Sequence, residues 1–411
     1  MTLIEEARAG KITIPVATVA GNEGIDPESL TRRVAEGRVA IMQRGDRALG
    51  IGQGLCTKVN VNIGTSTLQI SQEKEVTKAK VAEKLGADTI SDLSMGGDIP
   101  CIRREIFRHT TVPITTVPIY QTAAEVGLQK MQGKDILTTI HQQAEQGISS
   151  LVIHGVNWRI LDLLKGKKRL LPMVSKGGSI TSAYMCIHDC DNPFFEFFDE
   201  ILAILKRYDI VLSLGNTARS GCIQDARDRA QQEEIRQNIS LAERAHAEGV
   251  QVIIEGAGGH IRYDRIARYI RYYKRHTRFP LFVAGPLPTD IAIGYDHIAG
   301  CVGASVASAN GADYLCYLTP AEHLCLPNAE HVREGLVAFK IAAHIGDMVK
   351  YGKDGADRAL SLKRAELDRS GQLAFAIDED RVKVLAGNGM DCSMCGDFCA
   401  IRMMKNYLGS R

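Results

Sequence analysis

The run DIVLSLGNTARSG at residues 209–221, followed after a charged stretch by VQVIIEGAGGH at residues 250–260, decides how this chain folds. Each opens on Val, Ile and Leu in near-continuous succession, the composition of a strand covered on both faces, and each runs directly into a polar, glycine-rich loop. Between them, Gln224 to Glu248 carries charge with spaced apolar residues, a helical pattern. Strand, loop, helix and strand in that order make a parallel βα unit.

The same unit recurs outward in both directions. Candidate strands are VNVNI (59–63), DTISDLS (88–94), ITTVPIY (114–120), SLVIHGV (150–156), LPMVS (171–175), the two already quoted (209–215 and 250–256), PLFVAG (280–285) and DYLCYLT (313–319). Helical patterns cover Glu73–Leu85, Ile99–His109, Ala123–Gln146, Pro193–Tyr208 and Glu330–Tyr351. Nine strands are one too many for an eight-stranded barrel, and either LPMVS, which is short and close to its predecessor, or VNVNI is the one to drop. The fold expected is therefore α/β, a (β/α)₈ TIM barrel over residues 56–352, with loops such as NIGTS, SMGGD, SKGGS and TPAEH meeting at one rim. A doubly wound sheet is the alternative, but no G-x-G-x-x-G follows the first strand. Residues 1–55 read as an N-terminal region, a short helical start with a charged stretch and a Gly-rich link. Residues 353–411 read as a helical C-terminal arm ending in GNGMDCSMCGDFCAIRMMKNYLGSR.

The composition is that of a globular protein: 411 residues, 45% hydrophobic, 24% charged, formal net charge +2. Disordered, collagen-like and strongly basic nucleic-acid-binding classes are thereby disfavoured. No window approaches the ~18 apolar residues of a membrane span, and MTLIEEARAG lacks the features of a signal peptide. A soluble, cytoplasmic protein with no membrane and no nucleic-acid partner is expected. The basic run RIARYIRYYKRHTR (265–278) reads as the solvated face of a helix. Eleven cysteines, an odd number, argue against a closed disulfide framework.

Three of them, Cys392, Cys395 and Cys399, stand as C-x₂-C-x₃-C. Three thiolates leave one iron of a [4Fe–4S] cluster open to a small molecule such as S-adenosylmethionine; a structural zinc site or a redox-active Cys392–Cys395 pair are the alternatives. The other eight, Cys301, Cys316 and Cys325 among them, read as mostly buried thiols. His260 and His323 end neighbouring strands and are candidates for a divalent metal, Zn²⁺ or Fe²⁺, with open positions. His154 ends its own strand as a ligand contact or a cap. Ser175, Lys176 and Gly177 open a small-residue loop that can cradle a phosphate, and Arg219 adds a bidentate anion contact. A phosphorylated small molecule is the substrate class these residues suggest.

Taken together, NIGTS, DLSMGGDI, TVPIYQ, IHGV, VSKGGS, LSLG, GPLPTDIAIGYDHI, CYLTPAEHLCLPN and CSMCGDFCA closely resemble the phosphomethylpyrimidine synthase family of thiamine biosynthesis, in register from about Val59 to Arg402. The resemblance implies a non-standard radical S-adenosylmethionine enzyme with a (β/α)₈ core, a [4Fe–4S] cluster on Cys392, Cys395 and Cys399, and 5-aminoimidazole ribotide as substrate. It implies a one-electron donor protein and a homodimer in which the arm of one subunit covers the partner's barrel. By residue it assigns Asn62, Tyr120, His154, the Ser175–Gly177 loop, Arg219 and Glu255 to the ribotide, and His260 and His323 to a second divalent metal. Glu255, Asn216 and Arg219 carry the catalytic expectation, Glu255 as proton carrier or amine contact.

Several positions depart from the thiamine pattern. Its DGLRPG is here Asn216-Thr-Ala-Arg219-Ser-Gly221; its VMDLS is ISDLS, with Ser91 for a methionine; its SRGG is Ser175-Lys176-Gly-Gly; its PFY is Pro280-Leu-Phe282; its EGPGH is EGAGGH, one glycine longer. Replacing a carboxylate by the Asn216 amide removes an anion and a proton acceptor. These changes concentrate at ligand-facing loops and leave the scaffold motifs intact, which suggests the same substrate with a different outcome. They direct the expectation to the family's paralogous branch that makes 5-hydroxybenzimidazole for the cobamide lower ligand; phosphomethylpyrimidine synthesis is the alternative. A cysteine-arm redox sensor is the alternative of another class.

Overall fold

Eight parallel strands close into a barrel, and an antiparallel hairpin precedes them. In chain order the hairpin is β1 (Val39–Arg44) and β2 (Arg47–Gly52), and the barrel is β3 (Lys58–Ile63), β4 (Thr89–Asp92), β5 (Ile114–Thr116), β6 (Ser150–His154), β7 (Val211–Gly215), β8 (Val252–Glu255), β9 (Leu281–Ala284) and β10 (Tyr314–Cys316). Closure runs through β10, which pairs with both β9 and β3. This computed structural model describes residues 1–165, 169–387, 392 and 394–408. Within them the chain divides into two units, Met1–Lys350 and Tyr351–Arg411.

The mixed α/β barrel is the fold the βα repeats predict, and the ninth candidate strand is absent. Residues 171–175 are not strand: the N–H groups of Leu170 and Leu171 donate to the Asp225 carboxylate at 2.9 Å each, so they are spent on a loop clamp and not on a ladder. The SKGGS segment is no free loop either. Ser175 caps a helix at Lys176–His188, its hydroxyl accepting from Gly178 N at 3.2 Å. The strand expected at 114–120 ends at Thr116, because Pro118 opens the helix Pro118–Val126. The helix expected over Ala123–Gln146 is two, broken where Gly127 takes a φ of 85° and resumed at Gly133–Glu145. Pro193–Tyr208 likewise splits into Pro193–Glu196 and Phe198–Tyr208, and Gln224–Glu248 into a short turn and the Asp228-capped helix Arg229–Ala247.

Apolar residues on the outer faces of the strands and the inner faces of the helices form two large clusters around the barrel. The hairpin makes a third: Ala40, Met42, Leu49 and Ile51 pack against Val211, Ile253, Phe282, Tyr314 and Cys316. Gln251, at the start of β8, holds it there, accepting from Ile41 N at 2.8 Å. The barrel is thus stopped at the amino ends of its strands, and open space is left at their carboxyl ends. The basic helix Tyr263–His276 buries Ile266, Tyr269, Ile270 and Tyr273, so its aromatic residues belong largely to the core and its cations face solvent.

In the unit Tyr351–Arg411 the helices Gly355–Glu366, Arg369–Leu373, Glu379–Ala386 and Ala400–Leu408 bury none of their residues. Among the described residues, no helix is long and apolar enough to cross a membrane.

Candidate active site

At the carboxyl ends of the strands lies a cavity of about 250 Å³. Asn62, Ser91, Tyr120, His154, Asn216, Arg219, Glu255, Phe282, His260 and His323, ten residues singled out in the sequence, all line it. They come from the ends of the strands and the loops that follow them, which is how a barrel converges groups scattered along a chain.

The Ser175–Gly177 segment stands at the cavity's edge. Lys176 Nζ lies 5.0 Å from the Tyr120 ring centroid. Gly177 sits so close to His154 that a Cβ would be 2.1 Å from the imidazole Cε1, so only glycine fits. His154 lines the cavity, is 3% exposed, and its buried Nδ1 has no hydrogen-bond partner. Burial, with a smaller contribution from nearby Arg219, holds this imidazole down to about 3. Burial pushes the Tyr120 phenol up to about 12. Both groups are therefore neutral hydrogen-bonding partners near pH 7. Arg219 is steadied by the carbonyls of Asn216 and Val174, at 3.2 and 3.4 Å. A helix start, a lysine and an arginine thus converge on one side, the makings of an anion site.

Glu255 accepts from Ser213 Oγ at 2.8 Å, and burial raises its carboxyl above the usual range while the Ser213 hydroxyl, Arg219 and the Asn216 N–H oppose the rise. A carboxyl held partly toward its protonated form is suited to moving a proton. Deeper in the barrel, Asn62 donates to Cys316 Sγ at 3.0 Å and accepts from Asn60 at 2.7 Å, and Ser91 Oγ donates to Asn60 at 2.9 Å. Phe282 stacks on Tyr314 with centroids 4.0 Å apart.

From the loops after β8 and β10, the strands on either side of β9, the His260 and His323 rings come to lie 5.5 Å apart. His260 Nδ1 bonds Asp290 Oδ1 at 2.7 Å, and His323 Nδ1 lies 3.9 Å from Asp296 Oδ2. At His260 the carboxylate on Nδ1 orients the ring and leaves Nε2 free to ligate, as a metal-binding histidine requires. The extra glycine before His260 has a structural use. Gly259 adopts a φ of 85°, a Cβ there would lie 2.3 Å from Ser220 O, and the adjoining His260 N donates to that oxygen at 3.0 Å. Among the described residues, no three His, Cys, Asp or Glu side chains converge as ligands of one metal, so a metal here would take its remaining ligands from solvent or substrate.

The cysteines divide differently from expectation. Cys316 is buried, yet its thiol meets two amides and lines the cavity; burial pushes it up to about 12. Cys301 is half-buried and Cys325 exposed, neither a fully buried thiol. Cys392 and Cys395 are exposed and Cys399 half-buried, flanking the turn Gly396–Phe398, and all three are free thiols, the donor chemistry a cluster requires. Sequence reasoning did not find Glu322, Glu234, Asp290 or Asp296. Glu322 precedes the noted His323 and lines the cavity; the other three act from behind it, where spacing gives no signal.

Residues 2–406 match the model of the Radical SAM ThiC family. The chain is 43% identical, over 100% of its length and 99% of the relative's, to a phosphomethylpyrimidine synthase of Dehalococcoides mccartyi strain BAV1. It is 43% identical to that of Archaeoglobus fulgidus, covering 98% of this chain and 99% of the other. It is 44% identical to that of Desulfotalea psychrophila, covering 98% and 97%. With a fold of the expected class and a match along nearly its whole length, the chain belongs to the radical SAM ThiC family.

Proposed function

We propose that the chain rearranges 5-aminoimidazole ribotide to the phosphomethylpyrimidine product for which its relatives are named. The observation that carries this reading is the cavity's composition: an anion-binding edge, a half-buried carboxyl and a histidine pair, one member tied to a carboxylate, within one space, in a chain 43% identical end to end to phosphomethylpyrimidine synthases. A [4Fe–4S] cluster on Cys392, Cys395 and Cys399 with S-adenosylmethionine would supply, when bound, one-electron cleavage and hydrogen abstraction. The chain's own residues do the rest. Arg219 and Lys176 hold the phosphate where helix Lys176–His188 begins. His154 and Tyr120 give neutral hydrogen bonds along the ribose, and Asn62 and Ser91 orient the base from the barrel floor. Glu255 holds or moves a proton at the aminoimidazole. His260 and His323 would hold the second divalent metal. The reading includes a one-electron donor and a homodimer.

The 5-hydroxybenzimidazole outcome is the second reading, and one observation favours it: Ser91, Asn216 and Phe282, three positions that depart from the thiamine pattern, all line the cavity. Anaerobically reconstituted protein, given aminoimidazole ribotide, S-adenosylmethionine and a reductant, separates the two. Hydroxymethylpyrimidine phosphate is expected; hydroxybenzimidazole transfers the assignment to the second reading. Deoxyadenosine released with the ribotide unchanged would refute both.

A further inference from the structure

Behind the cavity wall lies a carboxylate that the proposed chemistry leaves unused. Glu234, on the helix Arg229–Ala247, is 1% exposed and points into the loop that follows β7. It accepts from the N–H groups of Thr217 and Ala218, the latter at 3.1 Å to each oxygen. With its amide nitrogen turned to the carboxylate, Asn216 donates to Glu234 Oε2 at 3.0 Å and accepts from Gly258 N at 3.1 Å in the loop after β8. Three successive residues thus wrap one carboxylate, and the next is Arg219. The Asn216 backbone N–H, meanwhile, serves Glu255. One side chain therefore ties together the anion contact, the Glu255 carboxyl of the cavity and the loops after two strands.

We infer that Glu234 is a positioning residue for the ribotide, and that Asn216 and Glu234 form a matched pair in which one member is an amide and the other a carboxylate. The inference rests on the ribotide reading above. The hydrogen-bond inventory gives the reason. Thr217, Ala218 and Asn216 each present Glu234 with a donor, so a carboxylate satisfies all three. An aspartate at position 216, as in the thiamine pattern DGLRPG, would set two carboxylates facing each other in a buried site, where one must keep a proton. Exchanging the pair, Asn216→Asp together with Glu234→Gln, would satisfy the same bonds. The amide oxygen introduced at position 234 accepts from Thr217 and Ala218, and its nitrogen donates to the carboxylate introduced at position 216, which accepts from Gly258.

Titrating the cluster-free full chain with aminoimidazole ribotide by calorimetry tests this through binding alone. Asn216→Asp and Glu234→Gln are each expected to weaken ribotide affinity about tenfold, and the double variant to recover most of that loss. Circular dichroism and thermal melts check that all three variants are folded, and a Glu234→Asp variant, which keeps the charge but withdraws it, substitutes for any that is not. Single variants that bind as wild type, or losses that simply add in the double variant, would overturn the inference and leave the ribotide reading standing. A wild-type chain that binds no ribotide would overturn both.

Discussion

In the cavity wall His154 is 3% exposed, its Nδ1 unpartnered and its ring packed on a glycine. In the same wall, His323 exposes 55% of its side chain and His260 is tied to Asp290 at 2.7 Å. The same residue type has been given opposite tasks by its surroundings. Desolvation without a carboxylate makes a neutral hydrogen-bonding surface, suited to a ligand that brings its own charge. A carboxylate behind Nδ1, as at His260, orients the ring with its other nitrogen free for a cation. The flank with Lys176 and Arg219 is thus proposed for the phosphate, and the histidine pair for the metal.

The strongest way to break this contrast is to remove the pair. His260→Ala with His323→Ala is expected to lose the one non-cluster metal of the loaded protein, by elemental analysis, with ribotide binding retained; unchanged metal content refutes the assignment. Next comes acid stability. The folded chain keeps His154 neutral down to about 3, whereas the unfolded chain protonates it near 6.5. The unfolded state therefore binds the extra proton first, and stability falls as pH drops from about 6.5 toward 3, by a few kcal/mol in total. Denaturation across that range should show a shallower acid slope in His154→Gln than in wild type. Arg219→Ala is expected to cost about 2 kcal/mol of ribotide affinity, roughly thirtyfold, by calorimetry, with metal content unchanged. The smallest effect belongs to Asp290→Asn, which should weaken metal binding about tenfold, by competition with a chelator, and leave the ribotide untouched.

Barrel and rim were legible because parallel strands write themselves as continuous apolar runs, and because each such run ends in a loop of small polar residues. The ten cavity residues were found on that basis and by resemblance. What escaped notice was structure set by contacts distant in sequence. LPMVS has strand composition, but Asp225, some fifty residues on, takes the N–H of its first residue, Leu171, and of the preceding Leu170. Asp290 backs His260 across 30 residues, and no spacing rule connects them. The hairpin of β1 and β2 was missed although a signal was present, since Gly45-Asp46 sits between two runs of six residues, a turn pair between strands.

A crystal structure of the chain with aminoimidazole ribotide bound tests the two-flank account most directly. The account predicts the phosphate between Lys176, Arg219 and the start of helix Lys176–His188, with the aminoimidazole reaching Glu255 and no ribotide atom taking the place of a metal between His260 and His323. A phosphate seated on the histidine pair, with the Lys176 and Arg219 edge empty, would contradict it.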